Sequence, residues 1–595
     1  MSESLTQSPR TVRFGLFELD LRSGDLRKQG RKIRLGGQPV QVLITLLEHP
    51  GELITREELR RELWPADTFV NFEQSLTAAV KRLRQALSDS ATHPRFVETL
   101  ARRGYRFIGP VAEHPVAASY PAPHSRPIDS LAVLPFENSD RDPETEYLSD
   151  GITESIINSL SQLPAVRVMA RSTVFRYKAK AADPRVIGRK LNVDAVLIGR
   201  VVQRGDALFI RTELVEVQSG WQLWGAQYNR SLSDIFAVEE EISREISEKL
   251  RLRLSGEDKS RLSKHYTRST DAYQAYLKGR YHWNRLTEEG LRKGIECFQE
   301  AIRRDQSYAL AYAGLADCYG HLGFVGLLPP KEVIPKAKEA AGKAIEIDND
   351  LAEAHVSLAF ILKIYDWDWL ASGREYQRAL ELNPNYTQAH RSYAAYLSAV
   401  GKAEEAMREI HLAQDLDPLS LTLSAEIAWH LYMARDYDRA IEQALRTLEL
   451  EPQNSTAQGV LGTSYAQQAK YGAACAALQQ AVVISENHAY PLAQLGHALG
   501  QSGRKDEAER ILEQLAELCQ GCYVPPCWLA MVCAGLGEKG AALQWLEKAY
   551  EQHDVWLVWL KTEPRYDSLR AEAQFDTLMR CVGLAPGLGS ARTAG

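Results

Sequence analysis

The chain has little of what several protein classes need. Eight cysteines in 595 residues do not make a disulfide framework. The opening stretch, MSESLTQSPR, has no apolar core of the kind a secretory signal carries. No run approaches the roughly 20 consecutive apolar residues of a membrane span. The 14 histidines form no HExxH or similar zinc spacing. There is no Walker A lysine, no GxSxG elbow and no defensible Ser/His/Asp set. These absences predict a cytoplasmic protein with no membrane anchor, no catalytic residues, no metal and no cofactor. A net charge of −6 excludes a chain that is basic throughout.

The charge is nevertheless uneven. Residues 1–110 hold 18 Lys+Arg against 13 Asp+Glu, and the remainder holds 53 against 64. A basic end on an acidic body suits local contact with a polyanion. Within that end, residues 71–107 are the most informative stretch. Leu76, Val80, Leu83 and Leu87 fall on one stripe of a helix. The opposite face carries Gln74, Ala78, Lys81, Arg82 and Gln85, flanked by Thr77 and Arg84. A strand-like piece with Arg102, Arg103, Gly104, Tyr105 and Arg106 follows. A basic helix and then a basic hairpin is the pattern of a recognition helix with a wing.

Upstream, residues 11–36 alternate like strands, with turns at Ser23-Gly24-Asp25 and at Gly30, and predict a small antiparallel sheet. Residues 39–49 predict an apolar helix, and Thr55 with Glu58 has capping-box spacing ahead of another. The order of sheet, three helices and terminal hairpin resembles the winged-helix effector domain of OmpR/PhoB-type bacterial transcription regulators. The segments that carry the resemblance are TREELRRELW (55–64), LTAAVKRLRQAL (76–87) and TLARRGYRF (99–107), within a match over about residues 12–109. The resemblance implies that Thr77, Lys81, Arg82 and Arg84 meet the major groove and its phosphates. Lys81 and Arg84 would serve phosphates, and Arg82 a base edge, where a bidentate guanidinium reads guanine. In the wing, Ala101 stands where the family often has Arg, and Arg102 and Arg103 follow it. Tyr105 either touches a sugar or phosphate or packs its ring beneath the hairpin. The loop holding Asp67, Phe69, Asn71 and Glu73 lies where the family touches RNA polymerase. That family commonly has a receiver domain upstream. Only about ten residues precede the first strand here, so control by aspartyl phosphorylation within the chain is not expected and a one-component regulator is.

Residues 110–129, rich in Pro, Ala and His, predict a flexible linker. Residues 130–232 predict an α/β domain. Its phrases LAVLPFEN and YLSDGITESIINSL resemble the TolB-N-like domain that sits between winged helices and repeat arrays in bacterial regulators. Proteins with this segment are often described beside adenylate cyclases, but no paired metal-binding Asp in cyclase spacing is evident. Asn138, Asp140 and Asp142 begin like a calcium loop, and Pro143 in place of the required Gly breaks it. Residues 233–269 predict a connector containing an amphipathic helix.

Periodicity dominates the rest. Pro384, Pro418 and Pro452 lie 34 residues apart, as do Ala394, Ala428, Gly462 and Gly496, and again Ala406, Ala440, Ala474 and Ala508. These small residues match the close crossings of two helices in a tetratricopeptide (TPR) hairpin. The resemblance implies about eight hairpins over 270–555, with a C-terminal cap and tail over 556–595, and a concave face for a protein or peptide. Gly535 to Gly540 spells GxGxxG but falls at a hairpin turn. Cys519, Cys522, Cys527 and Cys533 offer a weak metal pattern, and small packed thiols explain them better.

The fold class expected is therefore multidomain: winged helix, TolB-N-like α/β domain and all-α TPR superhelix. The function expected is a DNA-binding transcriptional regulator that meets double-stranded promoter DNA, RNA polymerase and a partner in the TPR groove, acting as a homodimer or in tandem. The alternatives are a TPR scaffold with secondary DNA binding and, behind it, a nucleotide-cyclase-like enzyme.

Overall fold

The computed structural model describes residues 11–20, 24–28, 31–33, 35, 37–63, 72–91, 94–100, 103–109, 111–113, 128–139, 145–178, 183–250, 256 and 266–585. It divides into two compact units, Met1–Ser125 and Arg126–Gly595.

The first unit begins with β1 (Thr11–Phe14), β2 (Phe17–Asp20), β3 (Leu26–Lys28) and β4 (Arg31–Ile33), an antiparallel meander. Helices α1 (Gln38–Glu48), α2 (Arg56–Leu63) and α3 (Phe72–Leu87) come next, with β5 (Leu53–Thr55) between the first two. The hairpin β6 (Val97–Leu100) and β7 (Gly104–Phe107) then pairs with β5 in the order β5-β7-β6. The capping box forms: the Thr55 amide donates to Glu58 Oε2 at 2.8 Å, and the Glu58 amide donates to Thr55 Oγ1 at 3.2 Å. Leu76, Val80, Leu83 and Leu87 are all buried, as their spacing requires, against α1 and a cluster of Phe14, Phe17, Phe96 and Phe107. One strand escapes the sequence pattern. β8 (Val111–Glu113) returns to pair with β1, Val12 facing Glu113. Pairing thus reaches into the stretch expected as linker, and residues 114–127 lie outside the described residues.

The second unit starts as an α/β layer. Strands β9 (Ser130–Val133), β10 (Glu137–Asn138), β11 (Arg167–Val168), β12 (Ala195–Arg204), β13 (Ala207–Glu216) and β14 (Gln222–Ser231) form one sheet, β11-β9-β12-β13-β14, with β10 beside β12. The strands that pair with β9 are parallel, and the long β12–β14 meander is antiparallel. Helices α4 (Glu146–Ser161), α5 (Arg171–Phe175) and α6 (Pro184–Leu191) lie between strands. Helix α7 (Ile235–Lys249) is more than a connector. It packs on α4 and β14, and its Ile235, Val238, Ile242 and Ile246 are buried. One hydrophobic core runs from Leu131 through this helix to Leu322, joining the sheet to the first helical hairpins. Beyond that core, Asp417 accepts the hydroxyl of Thr173 at 2.6 Å, and Asn385 Nδ2 donates to the Ser161 carbonyl at 3.0 Å.

Eight helix pairs succeed it among the described residues, from Thr270–Trp283 with Glu288–Arg304 to Pro526–Leu536 with Lys539–Gln552. Second helices stop at Leu382, Leu416 and Leu450, two residues ahead of the three periodic prolines. The small-residue register is steric: a Cβ on Gly462 would stand 2.5 Å from Leu478 and 2.9 Å from the Ala474 carbonyl.

The repeat pattern ends with the eighth pair. Two 3-10 turns, Val555–Trp559 and Pro564–Leu569, cross the first helices of earlier hairpins before a last helix, Ala573–Cys581. Trp556 stacks on Phe324 and Tyr490, and Trp559 meets Trp429 edge-on. Arg435 donates from both terminal guanidinium nitrogens, Nη1 and Nη2, to the two carboxylate oxygens of Asp567. The Asp366-Trp-Asp-Trp369 loop takes part. Trp367, at φ 53°, stacks on His553, Asp368 caps the next helix, and the Trp369 indole donates to the Val582 carbonyl at 2.7 Å. The C-terminal residues are therefore tied back to the second, third, fifth and seventh hairpins.

Candidate nucleic-acid interface

Helix α3 presents two faces. The apolar stripe is sunk in the core, and Thr77, Lys81 and Arg82 are exposed on the other side. A helix of this length with exposed basic residues fits the major groove of a duplex.

Arg84 is placed differently. Its Nη2 donates to the Val97 carbonyl at 2.7 Å and to Thr99 Oγ1 at 2.7 Å, so the guanidinium is turned onto β6. The family resemblance assigns it to phosphate. The structure makes it the tie between recognition helix and wing, because its side chain reaches the strand that crosses the helix end.

Asp89 completes that tie, and sequence reasoning missed it. Its carboxylate accepts backbone amides from Ser90, Arg95, Phe96 and Val97, at 2.6 to 3.2 Å. Partial burial pushes its carboxyl up, but the four amides outweigh burial and hold it below the ordinary carboxylate range. A signal was present: an acidic residue just past a helix C-terminus opposes the helix dipole and needs other donors.

The wing turn is tight. The Arg103 amide donates to the Leu100 carbonyl at 3.0 Å, and the Arg56 amide donates to the Arg103 carbonyl at 3.2 Å. Gly104 has no alternative, since a Cβ there would stand 2.0 Å from the Ile54 carbonyl oxygen. Arg103 is exposed at the tip, and Arg102 lies outside the described residues. Tyr105 is 3% exposed, with the Arg56 guanidinium over its ring at 5.7 Å. Of the two roles open to it, it takes the packed one. Asp67, Phe69 and Asn71 lie outside the described residues, as does the side chain of Glu73 at the start of α3.

The weaker motifs resolve structurally. Gly537 caps helix Pro526–Leu536 at φ 83°, so the GxGxxG is a hairpin turn. Cys527 and Cys533 are buried in that helix, and Cys519 and Cys522 are exposed. Among the described residues no group of three or more His, Cys, Asp or Glu is placed to hold a metal ion, and no helix is long and apolar enough to cross a membrane.

A winged helix with an exposed basic recognition face, joined in one chain to tetratricopeptide hairpins, defines a DNA-binding transcriptional regulator. Comparison with known proteins specifies the class. Residues 30–107 match the family described as transcriptional regulatory protein, C terminal. Residues 127–226 match the second domain of HilA/YgeH-like transcriptional regulators, and residues 489–522 match the tetratricopeptide repeat. The chain is 27% identical over 433 residues to transcriptional regulator HilA of Salmonella typhimurium, covering 71% of this chain and 73% of that one. It is 32% identical over 257 residues to a protein of Rhizobium meliloti named putative adenylate cyclase 3, covering 42% of this chain and 43% of that one. It is 38% identical over 95 residues to the cholera toxin homolog transcriptional activator of Vibrio parahaemolyticus, covering 16% of this chain and 32% of that one.

Proposed function

We propose that the protein acts in the cytoplasm, binds promoter DNA as a dimer or in tandem, and changes promoter output when its acidic body meets a protein or peptide partner. The observation that carries this is the exposed Thr77, Lys81 and Arg82 face of α3, braced against the wing through Arg84 and Asp89. Arg82 reads a base edge, and Lys81 and Arg103 meet phosphates, as does Arg102, the residue before Arg103 in the sequence. On the family resemblance, the stretch holding Asp67, Phe69, Asn71 and Glu73 contacts RNA polymerase. Catalysis forms no part of this reading, although one relative bears a cyclase name.

Gel shift of the full chain on genomic fragments tests the DNA reading. Arg82→Ala should lose about 1–3 kcal/mol of specific binding and relax preference at one position. An unchanged sequence preference would remove the assigned role. Cyclic AMP formation by the purified chain would overturn the non-enzymatic reading. The body is tested by mapping bound DNA and promoter output with and without residues 126–595, since the two units are compact by themselves.

A further inference from the structure

Repeat arrays of this type turn the first helix of each hairpin toward a concave, ligand-binding side. In this chain that side is covered by residues 554–569. The segment's Trp556 packs on first helices of the second and seventh hairpins, and its Trp559 on that of the fifth. Lys561 Nζ donates to the Val400 carbonyl at 2.9 Å, and Glu563 accepts the Tyr432 hydroxyl at 2.8 Å. Tyr566 donates to the Cys527 carbonyl of the eighth hairpin at 2.8 Å.

These are the contacts of a bound peptide. The backbone runs as short 3-10 turns and adds no hairpin to the repeat. Val555, Leu557, Val558 and Leu560 are fully buried, Trp559 nearly so and Trp556 half-buried, and a few directional bonds fix the register. The fit is also incomplete. Trp556 Nε1, Trp559 Nε1, Thr562 Oγ1 and Arg565 Nη1 are buried without a protein partner among the described residues. Buried polar atoms are ordinarily satisfied, so the segment's polar contacts are incomplete even though its Val555, Leu557, Val558 and Leu560 are fully buried.

We propose that residues 554–569 are a ligand held in cis. A partner peptide of the same chemistry, two tryptophans three residues apart with acidic residues downstream, takes the same groove when the segment leaves. Binding of a partner and release of the C-terminal segment are then one exchange. This rests on reading the array as a partner-binding module.

Two measurements on the full chain test it. In hydrogen exchange, amides of 555–569 should exchange together and at least tenfold sooner than amides of the covered helices Leu421–Met433 and Ala489–Gln501. In the second, a fluorescent synthetic peptide of residues 553–570 is titrated into wild type and into Trp556→Ala/Trp559→Ala. The variant should bind at least tenfold more tightly than wild type, whose groove is filled. If the double variant unfolds, Asp567→Ala serves, because its pair with Arg435 is partly exposed and a smaller gain suffices. Exchange of 555–569 only together with the covered helices overturns the proposal, and so does a folded variant that gains no affinity. If that happens while residues 126–595 are still needed for regulated promoter output, the module reading stands and only the cis ligand falls.

Discussion

Arg84 of the recognition helix donates to the carbonyl of Val97 on the wing at 2.7 Å. This bond joins α3 to β6, the two elements proposed to face DNA, and it makes Arg84 and its neighbour Lys81 experimentally separable. Arg84→Ala should weaken binding to every sequence by roughly 1–2 kcal/mol through a loosened wing, with the slope of log affinity against log salt unchanged. Lys81→Ala should lower that slope by about one, because a phosphate contact is lost. Gel shifts across a salt series measure both. A slope that falls in Arg84→Ala would return Arg84 to the phosphate.

Asp89 should give the winged unit an acid-sensitive component. Its carboxyl titrates lower in the folded unit than in the unfolded chain. The stabilisation is therefore complete above the ordinary Asp range, near pH 4, and is lost as pH falls through the lower folded value. Asp89→Asn should cost roughly 1–2 kcal/mol at neutral pH, allowing for partial solvent screening, and should flatten that acid limb. Denaturant melts at pH 7 and pH 3 check this, and an unaltered limb counts against the clamp.

Gly104→Ala is expected to destabilise the winged unit by about 2–3 kcal/mol, since the added Cβ meets a backbone oxygen that cannot turn away. DNA binding should fall in parallel with the folded fraction. Calorimetry should show the loss in the first unit's transition, leaving that of residues 126–595 in place.

Glu239 predicts the opposite pH trend in the second unit. Burial pushes its carboxyl up to about 7, against hydrogen bonds from Tyr273 and Ser155 at 2.6 and 2.7 Å. Folding favours the protonated form. The contribution is complete below the unfolded value of about 4.5 and is lost as pH rises through about 7. Glu239→Gln keeps a neutral side chain, so its melting temperature should change less than that of wild type between pH 5.5 and pH 8.5. Equal pH dependence in both proteins would rule out Glu239 as the source.

Local patterns were legible in the sequence because each is repeated or self-contained. The stripe of Leu76, Val80, Leu83 and Leu87, the Thr55–Glu58 box and the 34-residue small-residue register each depend on neighbours within one or two turns, or on copies of one unit. Singular, long-range contacts were not. Arg84 and Thr99 lie 15 positions apart, and Arg435 and Asp567 lie 132 apart. No periodicity announces either pair. β8 was missed because three residues are too few to show alternation. The amphipathic pattern of helix α7 is plain in the sequence, but the partner of its apolar face, a core shared by sheet and hairpins, is a tertiary fact.

The tie between the hairpins and the C-terminal residues also bears on how this chain can change over generations. An open solenoid gains or loses one repeat at modest cost, because each unit touches only its neighbours. Here Trp367 meets His553, Trp369 meets Val582, and Arg435 meets Asp567, so the spacing between early hairpins and the C-terminal strap is set by the number of units between them. Duplicating or deleting a single 34-residue unit between Arg435 and the strap would leave every intrinsic repeat contact intact and misalign all three of these joints. The number of units from the third hairpin to the strap is thus held by geometry, and descendants of this chain should vary the faces of those repeats far more readily than their number.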